Sequence, residues 1–138
     1  MEGTEMSNQE GKVLGIAYNV IPVANLEKSG EWFVEHFGFN IRHKTEDSLS
    51  LFIGNRPILH LLKSDHESRA VFQIGERKKW DTTFFTNDIE SLHTKLVSKQ
   101  LKVGEISYEG ENGNFYTLDA IDGTLYAIWE HHDCELNF

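Results

Sequence analysis

The sequence predicts an α+β fold made of two tandem βαβββ modules, because the chain repeats one pattern. In each half, a β-rich run leads to an Asn or Asp followed by Leu or Ile, then to a helical stretch and a return to β-branched residues. The first run is VLGIAYNVIPV from Val13, and the second is WDTTFFT from Trp80. Asp88 follows Asn25 at a distance of 63 residues, which gives the period of the repeat.

The two helices are predicted from their ends and their apolar faces. Asn25 and Asp88 are short polar residues of the kind that accept a hydrogen bond from the first free N–H groups of a helix. Gly38 suits the left-handed residue that ends a helix. Apolar residues recur at helical spacing, which predicts one face packed on a sheet: Leu26, Gly30, Phe33, Val34 and Phe37 in the first helix, and Ile89, Leu92, Leu96 and Val97 in the second.

Short runs separated by turn residues follow each helix and predict three further strands per module. In the first module these strands are 39–46, 49–53 and 58–62, with a turn at 54–57. In the second module they are 102–108, 114–118 and 124–130, with turns at 110–113 and 122–123.

The length of 138 residues is enough for one domain with a hydrophobic core. We expect the chain to divide into a disordered lead (1–12), one domain (13–131, with modules at about 13–63 and 80–131 joined by a polar linker at 64–79) and a loose tail (132–138). The basic run Arg77-Lys78-Lys79 in the linker is interpreted as solvated surface.

The charge balance narrows the range of partners. Thirteen basic residues stand against 22 acidic ones, which gives a net charge of −9 at pH 7. Such acidity argues against binding to nucleic acid or to anionic membranes and leaves neutral or cationic small molecules as partners. The single cysteine, Cys134, rules out an internal disulfide, and no run of about 20 apolar residues could span a bilayer. We therefore expect a soluble, cytoplasmic protein.

Two segments carry a resemblance to the vicinal oxygen chelate superfamily, which includes glyoxalase I, extradiol dioxygenases, fosfomycin-resistance enzymes and bleomycin-resistance proteins. VIPVANLEKSGEWFVEHFGF resembles the first strand–helix segment of that family, and IDGTLYAIWE resembles its closing "DPDG…ELWE" segment. The resemblance covers about residues 13–131. It implies two modules whose mixed sheets curl into an open cleft with the helices outside, and it implies a homodimer, in some members formed by exchange of modules.

The resemblance also implies four positions at which the family's metal enzymes place ligands. These positions hold Tyr18, His60, Asp81 and Ala127 in this sequence. A catalytic divalent metal needs three or more good ligands, and only His60 and Asp81 qualify. Glu130 is three residues beyond Ala127 and is expected on the opposite face of its strand. We therefore predict no metal and no other cofactor. The cluster His131-His132-Asp133-Cys134 has ligand types but lies in the expected tail.

Strand alternation predicts which side chains line the cleft. The expected lining is apolar and aromatic with one His and one Asp: Tyr18, Val20, His60, Leu62, Asp81, Thr83, Phe85, Ala127 and Trp129. Phe52, Phe115 and Tyr116 could add to its walls. A simpler interpretation is that these aromatic residues fill the core.

Two functions remain open from the sequence. In the first, the protein binds a flat or cationic molecule without a metal, through stacking on Tyr18 or Trp129 and pairing with Asp81. The residues assigned to this site are Tyr18, Phe52, His60, Asp81, Phe85, Phe115 and Trp129. In the second, the protein is a lyase or dioxygenase with an altered ligand set, and His60 is a metal ligand or general base beside Asp81. A bound divalent metal would separate the two.

Overall fold

The fold consists of two four-stranded sheets, a hairpin and two helices, as seen in a computed structural model that describes residues 11–65 and 67–131. The helices are α1 (Leu26–Phe37) and α2 (Ile89–Ser98). The strands are β1 (Asn19–Val23), β2 (Asn40–Lys44), β3 (Ser48–Ile53), β4 (Arg56–Lys63), β5 (Val71–Ile74), β6 (Arg77–Trp80), β7 (Thr83–Phe85), β8 (Ser107–Tyr108), β9 (Asn114–Asp119) and β10 (Leu125–Glu130). None of the described helices is long and apolar enough to cross a membrane.

The two sheets have the same strand order. The first is β1-β4-β3-β2 and the second is β7-β10-β9-β8. In each, the strand before the helix pairs in parallel with the last strand of its half, and the other pairs are antiparallel. Neither sheet closes on itself, so the predicted α+β class with open mixed sheets is confirmed.

The helix ends match their sequence signals. The Asn25 side chain accepts a hydrogen bond from the Lys28 N–H at 3.0 Å, and the Asp88 side chain accepts one from the Ser91 N–H at 3.1 Å. Gly38 is left-handed with φ 73°, as predicted for the end of α1.

The apolar faces differ from the prediction at two residues. Val34 and Val97 are 40% and 49% exposed, although both were assigned to the buried stripes. Each follows a residue that points at the sheet, and a helix turns about 100° per residue, which carries both valines to the edge of the interface. In α1 the neighbouring places on the buried face are taken by Trp32 and His36 instead.

Three strand predictions also need correction. The run from Val13 does not form a strand until Asn19. The predicted strand 102–108 is reduced to β8 and an isolated bridge at Val103, where the Gly104 N–H donates to the Thr117 carbonyl at 2.8 Å. The segment 64–79, expected as a plain linker, forms most of the β5–β6 hairpin, which extends to Trp80.

One core connects the two sheets. The Phe33 ring of α1 packs on Phe84 of β7 and Tyr126 of β10, with centroids 6.4 and 5.5 Å apart. The helix of the first half therefore covers part of the second sheet as well as its own. At the seam between the sheets, Asn19 Nδ2 of β1 donates to Thr82 Oγ1 at 2.8 Å.

Candidate functional site

The candidate site lies on the face of the sheets turned away from the helices, which we call the open face. Alternation along β1 and β4 turns Ile21 and Leu61 toward α1, and both are fully buried. Val20 and His60 are register partners on the other side of the same strands. In the second sheet, Thr83 and Ala127 are the corresponding partners. The predicted lining residues on these strands therefore share one face.

Tyr18 and His60 lie together on the open face. Their ring centroids are 5.8 Å apart, and the Tyr18 side chain is about half exposed. Ser50 is the cross-strand partner of His60 on β3, and its Oγ is 2.9 Å from His60 Nδ1. This hydrogen bond orients the imidazole and leaves Nε2 as the ring nitrogen that can meet a ligand.

Asp81 lies at the seam between the two sheets, just before β7, and it is exposed. Its Oδ2 accepts a hydrogen bond from Thr82 Oγ1 at 3.1 Å and a long one from Asn19 Nδ2 at 3.4 Å. Both donors are neutral groups. The salt bridges found among the described residues do not include Asp81, so its negative charge is held in place without being neutralised there.

A recess of about 290 Å³ opens between β1 and the β5–β6 hairpin. Its walls are apolar apart from one acid and one base: Val20, Pro22, Arg69, Ala70, Val71, Phe72 and Asp81. Arg69 Nε donates to the Asp122 carbonyl at 3.0 Å and lies 3.5 Å from the Asp122 carboxylate. The arginine charge is therefore already paired. Arg69, Val71 and Phe72 were not predicted as lining residues, since nothing in their spacing indicates that the linker lies over β1.

The second sheet carries an aromatic row on the open face. Trp129 of β10 is the register partner of both Phe85 of β7 and Phe115 of β9. The Trp80 ring of the hairpin lies 6.3 Å from Phe115. Trp129 Nε1 donates to the Asn112 carbonyl at 3.0 Å, which anchors the indole to the loop before β9. Phe85, Phe115 and Trp129, all predicted as site residues, therefore form one group, which is distinct from the pair of Tyr18 and His60.

Two aromatic residues lie elsewhere. Phe52 sits beyond a bulge in β3, where the Arg42 guanidinium lies 4.8 Å above its ring and His43 lies 6.1 Å away. Its contacts are thus with β2 at the outer edge of the sheet. Tyr116 is 1% exposed and packs on His93 of α2, so it belongs to the core and not to the wall of the site. The simpler core interpretation is correct for this residue.

One of the four family ligand positions lacks a donor atom. Ala127 offers no donor atom, is buried, and lies between Thr83 and Thr117. Among residues 11–65 and 67–131, no group of three or more His, Cys, Asp and Glu side chains comes together. A tyrosine, a histidine and an exposed aspartate do not match the donor set that a catalytic divalent metal requires.

Glu130 does not replace the missing ligand. Its Oε1 accepts a hydrogen bond of 2.7 Å from the Ile89 N–H, at the first turn of α2. The side chain therefore points to the helix side of the sheet, as strand alternation predicts. In the cluster at the end of the chain, His131 Nε2 is 2.6 Å from the Glu111 carbonyl oxygen. Its other members, residues 132–134, lie outside the described residues.

Burial keeps the tyrosine beneath the seam neutral. Tyr126 is 1% exposed, and its burial raises the pKa of the phenol far above the ordinary value, with the negative charges of Asp122 and Asp81 adding to the effect. Burial likewise raises the pKa of Tyr116. Neither phenol can serve as a base near neutral pH.

Comparison with known proteins identifies the class. Residues 15–126 match the model of the Glyoxalase/Bleomycin resistance protein/Dioxygenase superfamily. Because this match covers most of the chain, the protein belongs to that superfamily, and the resemblance noted in the sequence is confirmed. No curated protein matches the sequence.

Solved structures share the fold at low sequence identity. A lactoylglutathione lyase from Agrobacterium tumefaciens has a TM-score of 0.67 at 13% identity, covering 86% of this chain and 94% of its own. An integron cassette protein, HFX_CASS4, from the mobile metagenome of Halifax Harbour sewage outfall has a TM-score of 0.70 at 18% identity, covering 86% and 99%. TnmS3, an antibiotic binding protein from Streptomyces sp. CB03234, has a TM-score of 0.64 at 14% identity, covering 86% and 97%.

Proposed function

We propose that this protein binds a small cationic molecule with an aromatic ring, without a metal, in the recess between β1 and the hairpin. One observation carries the proposal: Asp81 places a carboxylate at the wall of a recess whose other lining residues, apart from Arg69, are of apolar types. A cation entering this recess gains a counter-charge close to low-dielectric walls, where the attraction is stronger than in bulk water. The recess, about 290 Å³, is at the lower end of the usual range for ligand pockets.

The surrounding charges favour a cation over an anion. Arg69 is the basic residue of the recess, and its guanidinium is engaged by Asp122. Among the described residues, the hydrogen-bond donors to Asp81 are the neutral side chains of Asn19 and Thr82. The net charge of −9 adds a long-range attraction for cations and a repulsion for anions.

Ring faces are available beside this charge. Phe72 and Tyr18 are 50% and 48% exposed, so each can offer an aromatic face to a planar or cationic group. The family description names bleomycin resistance proteins, and TnmS3 is described as an antibiotic binding protein. The description of TnmS3 supports a binding role for this chain.

The orientation of His60 by Ser50 at 2.9 Å favours the enzyme alternative, and the family description also names glyoxalases and dioxygenases. A general base needs such a fixed imidazole, but it also needs a reacting group or metal beside it. The donor set described above does not match the one that a catalytic divalent metal requires, and this favours the binding function.

The proposal is tested with a charged probe and its neutral counterpart. We would titrate the protein with 1-methylquinolinium and with 1-methylnaphthalene and follow tryptophan fluorescence. The cation should bind, and Asp81→Asn should weaken it by about five- to tenfold while leaving the neutral probe unchanged, because one partly solvated ion pair contributes about 1 kcal/mol. Glu76→Gln, which removes an exposed carboxylate in the hairpin turn, is the matched control.

Two results would contradict the proposal. Equal affinity for the two probes, or an equal effect of Asp81→Asn and Glu76→Gln, would show that Asp81 does not recognise charge. Metal content after equilibration with Fe(II), Mn(II), Ni(II) and Zn(II), measured by mass spectrometry, tests the alternative directly. Near-stoichiometric metal would favour the enzyme with an altered ligand set.

A further inference from the structure

Arg69 lines the same recess as Asp81 and is held there by the backbone. Its side chain is 21% exposed, so it lies within the protein and does not extend into solvent. Its Nε donates to the Asp122 carbonyl at 3.0 Å, and its Nη1 donates to the Ser68 carbonyl at 2.6 Å. Because these bonds hold two different nitrogens of one planar group, the guanidinium has a defined orientation at the wall of the recess.

The remaining nitrogen of this guanidinium, Nη2, keeps its capacity to donate. Each terminal nitrogen of an arginine carries N–H donors that lie in the plane of the group. Within residues 11–65 and 67–131, no acceptor is found for the N–H groups of Nη2. The bonds at Nε and Nη1 also prevent the group from turning Nη2 away. Arg69 can therefore donate to an acceptor oxygen of a molecule in the recess.

The charge of Arg69, in contrast to its donors, is compensated inside the protein. Asp122 Oδ2 lies 3.5 Å from Nε, and the Asp122 side chain is 10% exposed. A carboxylate ligand would meet an arginine whose counter-charge is already present, and the net charge of −9 would repel that ligand. A neutral carbonyl oxygen needs only the N–H donors and is not repelled. The surroundings of Arg69 therefore favour a neutral acceptor.

Arg69 and Asp81 do not neutralise each other across the recess. The salt bridges between described residues join Arg69 to Asp122 and do not include Asp81. The wall thus presents a carboxylate and a set of N–H donors as separate groups, which one ligand can meet with two different polar groups. Phe72 is 50% exposed and offers a ring face to the apolar part of such a ligand.

We propose that the recess selects aromatic ammonium compounds that also carry a neutral carbonyl group, as the amides and esters of aromatic amino acids do. The ammonium group pairs with Asp81, the ring packs on Phe72, and the carbonyl oxygen accepts a hydrogen bond from Arg69 Nη2. These contacts distinguish the class from simple aromatic amines and from aromatic acids. The assignment rests on the proposed cation site at Asp81 and adds a second polar group to its ligand.

Two probes that differ by one carboxamide group test the assignment on the wild-type protein. Phenethylamine carries a ring and an ammonium group, and phenylalaninamide adds the carbonyl group. We would titrate both at about pH 6, where their amino groups are protonated, and follow tryptophan fluorescence. Phenylalaninamide should bind about three- to tenfold more tightly, which is the contribution of one hydrogen bond. Phenylalanine, which has a carboxylate in place of the amide, should show no such gain. Equal affinities for phenethylamine and phenylalaninamide would overturn the assignment.

Arg69→Lys tests which residue donates to the carbonyl oxygen. Lysine keeps a positive charge near Asp122 and removes the planar set of N–H groups. The readout is the ratio of the two affinities within one protein, because a general weakening of binding cancels in that ratio. The ratio should fall to about one in Arg69→Lys. Arg77→Lys, at an exposed position of the same hairpin, is the matched control and should keep the wild-type ratio. A wild-type ratio in Arg69→Lys would show that another group meets the carbonyl oxygen, and it would refute the role of Arg69.

The probe 1-methylquinolinium separates a failure of this assignment from a failure of the cation site. It carries a charge and a ring but no acceptor group. If its binding depends on Asp81 while phenylalaninamide has no advantage over phenethylamine, the cation site stands and the role of Arg69 is refuted. If it does not bind, or binds equally to Asp81→Asn, the cation site is refuted, and the assignment that rests on it is refuted as well.

Discussion

Replacement of Phe33 by Ala should be among the most damaging single changes in this protein. Phe33 is 2% exposed, and its ring lies at the junction of α1 with both sheets. Five aromatic rings surround it at centroid distances of 5.1 to 6.4 Å: Trp32, Phe37, Phe39, Phe84 and Tyr126. Two of these five belong to the second sheet, so the substitution opens a cavity that both halves line.

The expected loss follows from burial and from the ring contacts. Truncating a fully buried Phe to Ala costs about 3–5 kcal/mol, and the upper end applies where the surrounding groups cannot collapse into the cavity. Rings held by several strands and a helix are poorly able to collapse. We expect a loss of about 4–5 kcal/mol in the free energy of unfolding. With a urea m-value of about 2 kcal/mol/M, the midpoint should fall by about 2 M.

Urea unfolding followed by tryptophan fluorescence measures this loss, since Trp32 is adjacent to the substituted ring. Phe72→Ala, at a hairpin residue that is 50% exposed, is the control and should cost less than about 1 kcal/mol. Phe84→Ala and the double variant complete a cycle, with an expected coupling of about 0.5–1.5 kcal/mol. A loss below about 2 kcal/mol for Phe33→Ala, or strict additivity with Phe84→Ala, would refute a core shared across the seam.

Two further substitutions test other parts of the structure. Gly113 has φ 84°, and a Cβ there would lie 2.7 Å from Trp129 Nε1 and from a backbone oxygen of β10. Gly113→Ala should therefore lower the thermal stability more than Gly54→Ala, where φ is 58° and a Cβ would have no atom within 4 Å. Equal losses of thermal stability in the two variants would contradict this. Burial raises the pKa of Tyr116 and Tyr126 above the ordinary value of 10.0, so these phenols ionise in the unfolded chain at a lower pH than in the folded protein. The free energy of unfolding should therefore fall as the pH rises above 10, with a limiting slope of about 1.4 kcal/mol per pH unit for each phenol. Tyr116→Phe should reduce that slope while changing stability little at pH 7, since no hydrogen-bond partner of its hydroxyl is found among the described residues. An unchanged slope in urea titrations between pH 10 and 11 would show that Tyr116 does not contribute.

The features that could be predicted from the sequence are those set by neighbours along the chain. Asn25 and Asp88 cap the helices through N–H groups three residues away, so the signal and its partner lie within one turn. The Gly38 end of α1 is equally local. Strand alternation correctly predicted that the Glu130 side chain points away from the open face, because side chains alternate with a period of two wherever a strand is regular.

The features that could not be predicted depend on residues that are distant in sequence. Arg69 is paired with Asp122, 53 positions away, and this contact holds the start of the hairpin segment against the last turn. Lys78 of the basic run donates to the Gly123 carbonyl at 3.1 Å, although the run was interpreted as solvated surface. No local pattern in 64–79 records these contacts, so the recess that the hairpin forms over β1 was invisible in the sequence.

The seam between the two sheets does not depend on the charge of Asp81, the residue that we propose binds a cation. β1 and β7 are the edge strands of their sheets, and no backbone pairing between them appears in the described structure. Asn19 Nδ2 joins them through Thr82 Oγ1 at 2.8 Å, whereas its distance to Asp81 Oδ2 is 3.4 Å, at the limit of a hydrogen bond. Thr82 therefore carries the structural contact, and the aspartate carboxylate keeps acceptor capacity for another group. Since an amide oxygen at position 81 could still accept from Thr82, the Asp81→Asn variant separates the charge of the site from the integrity of the seam.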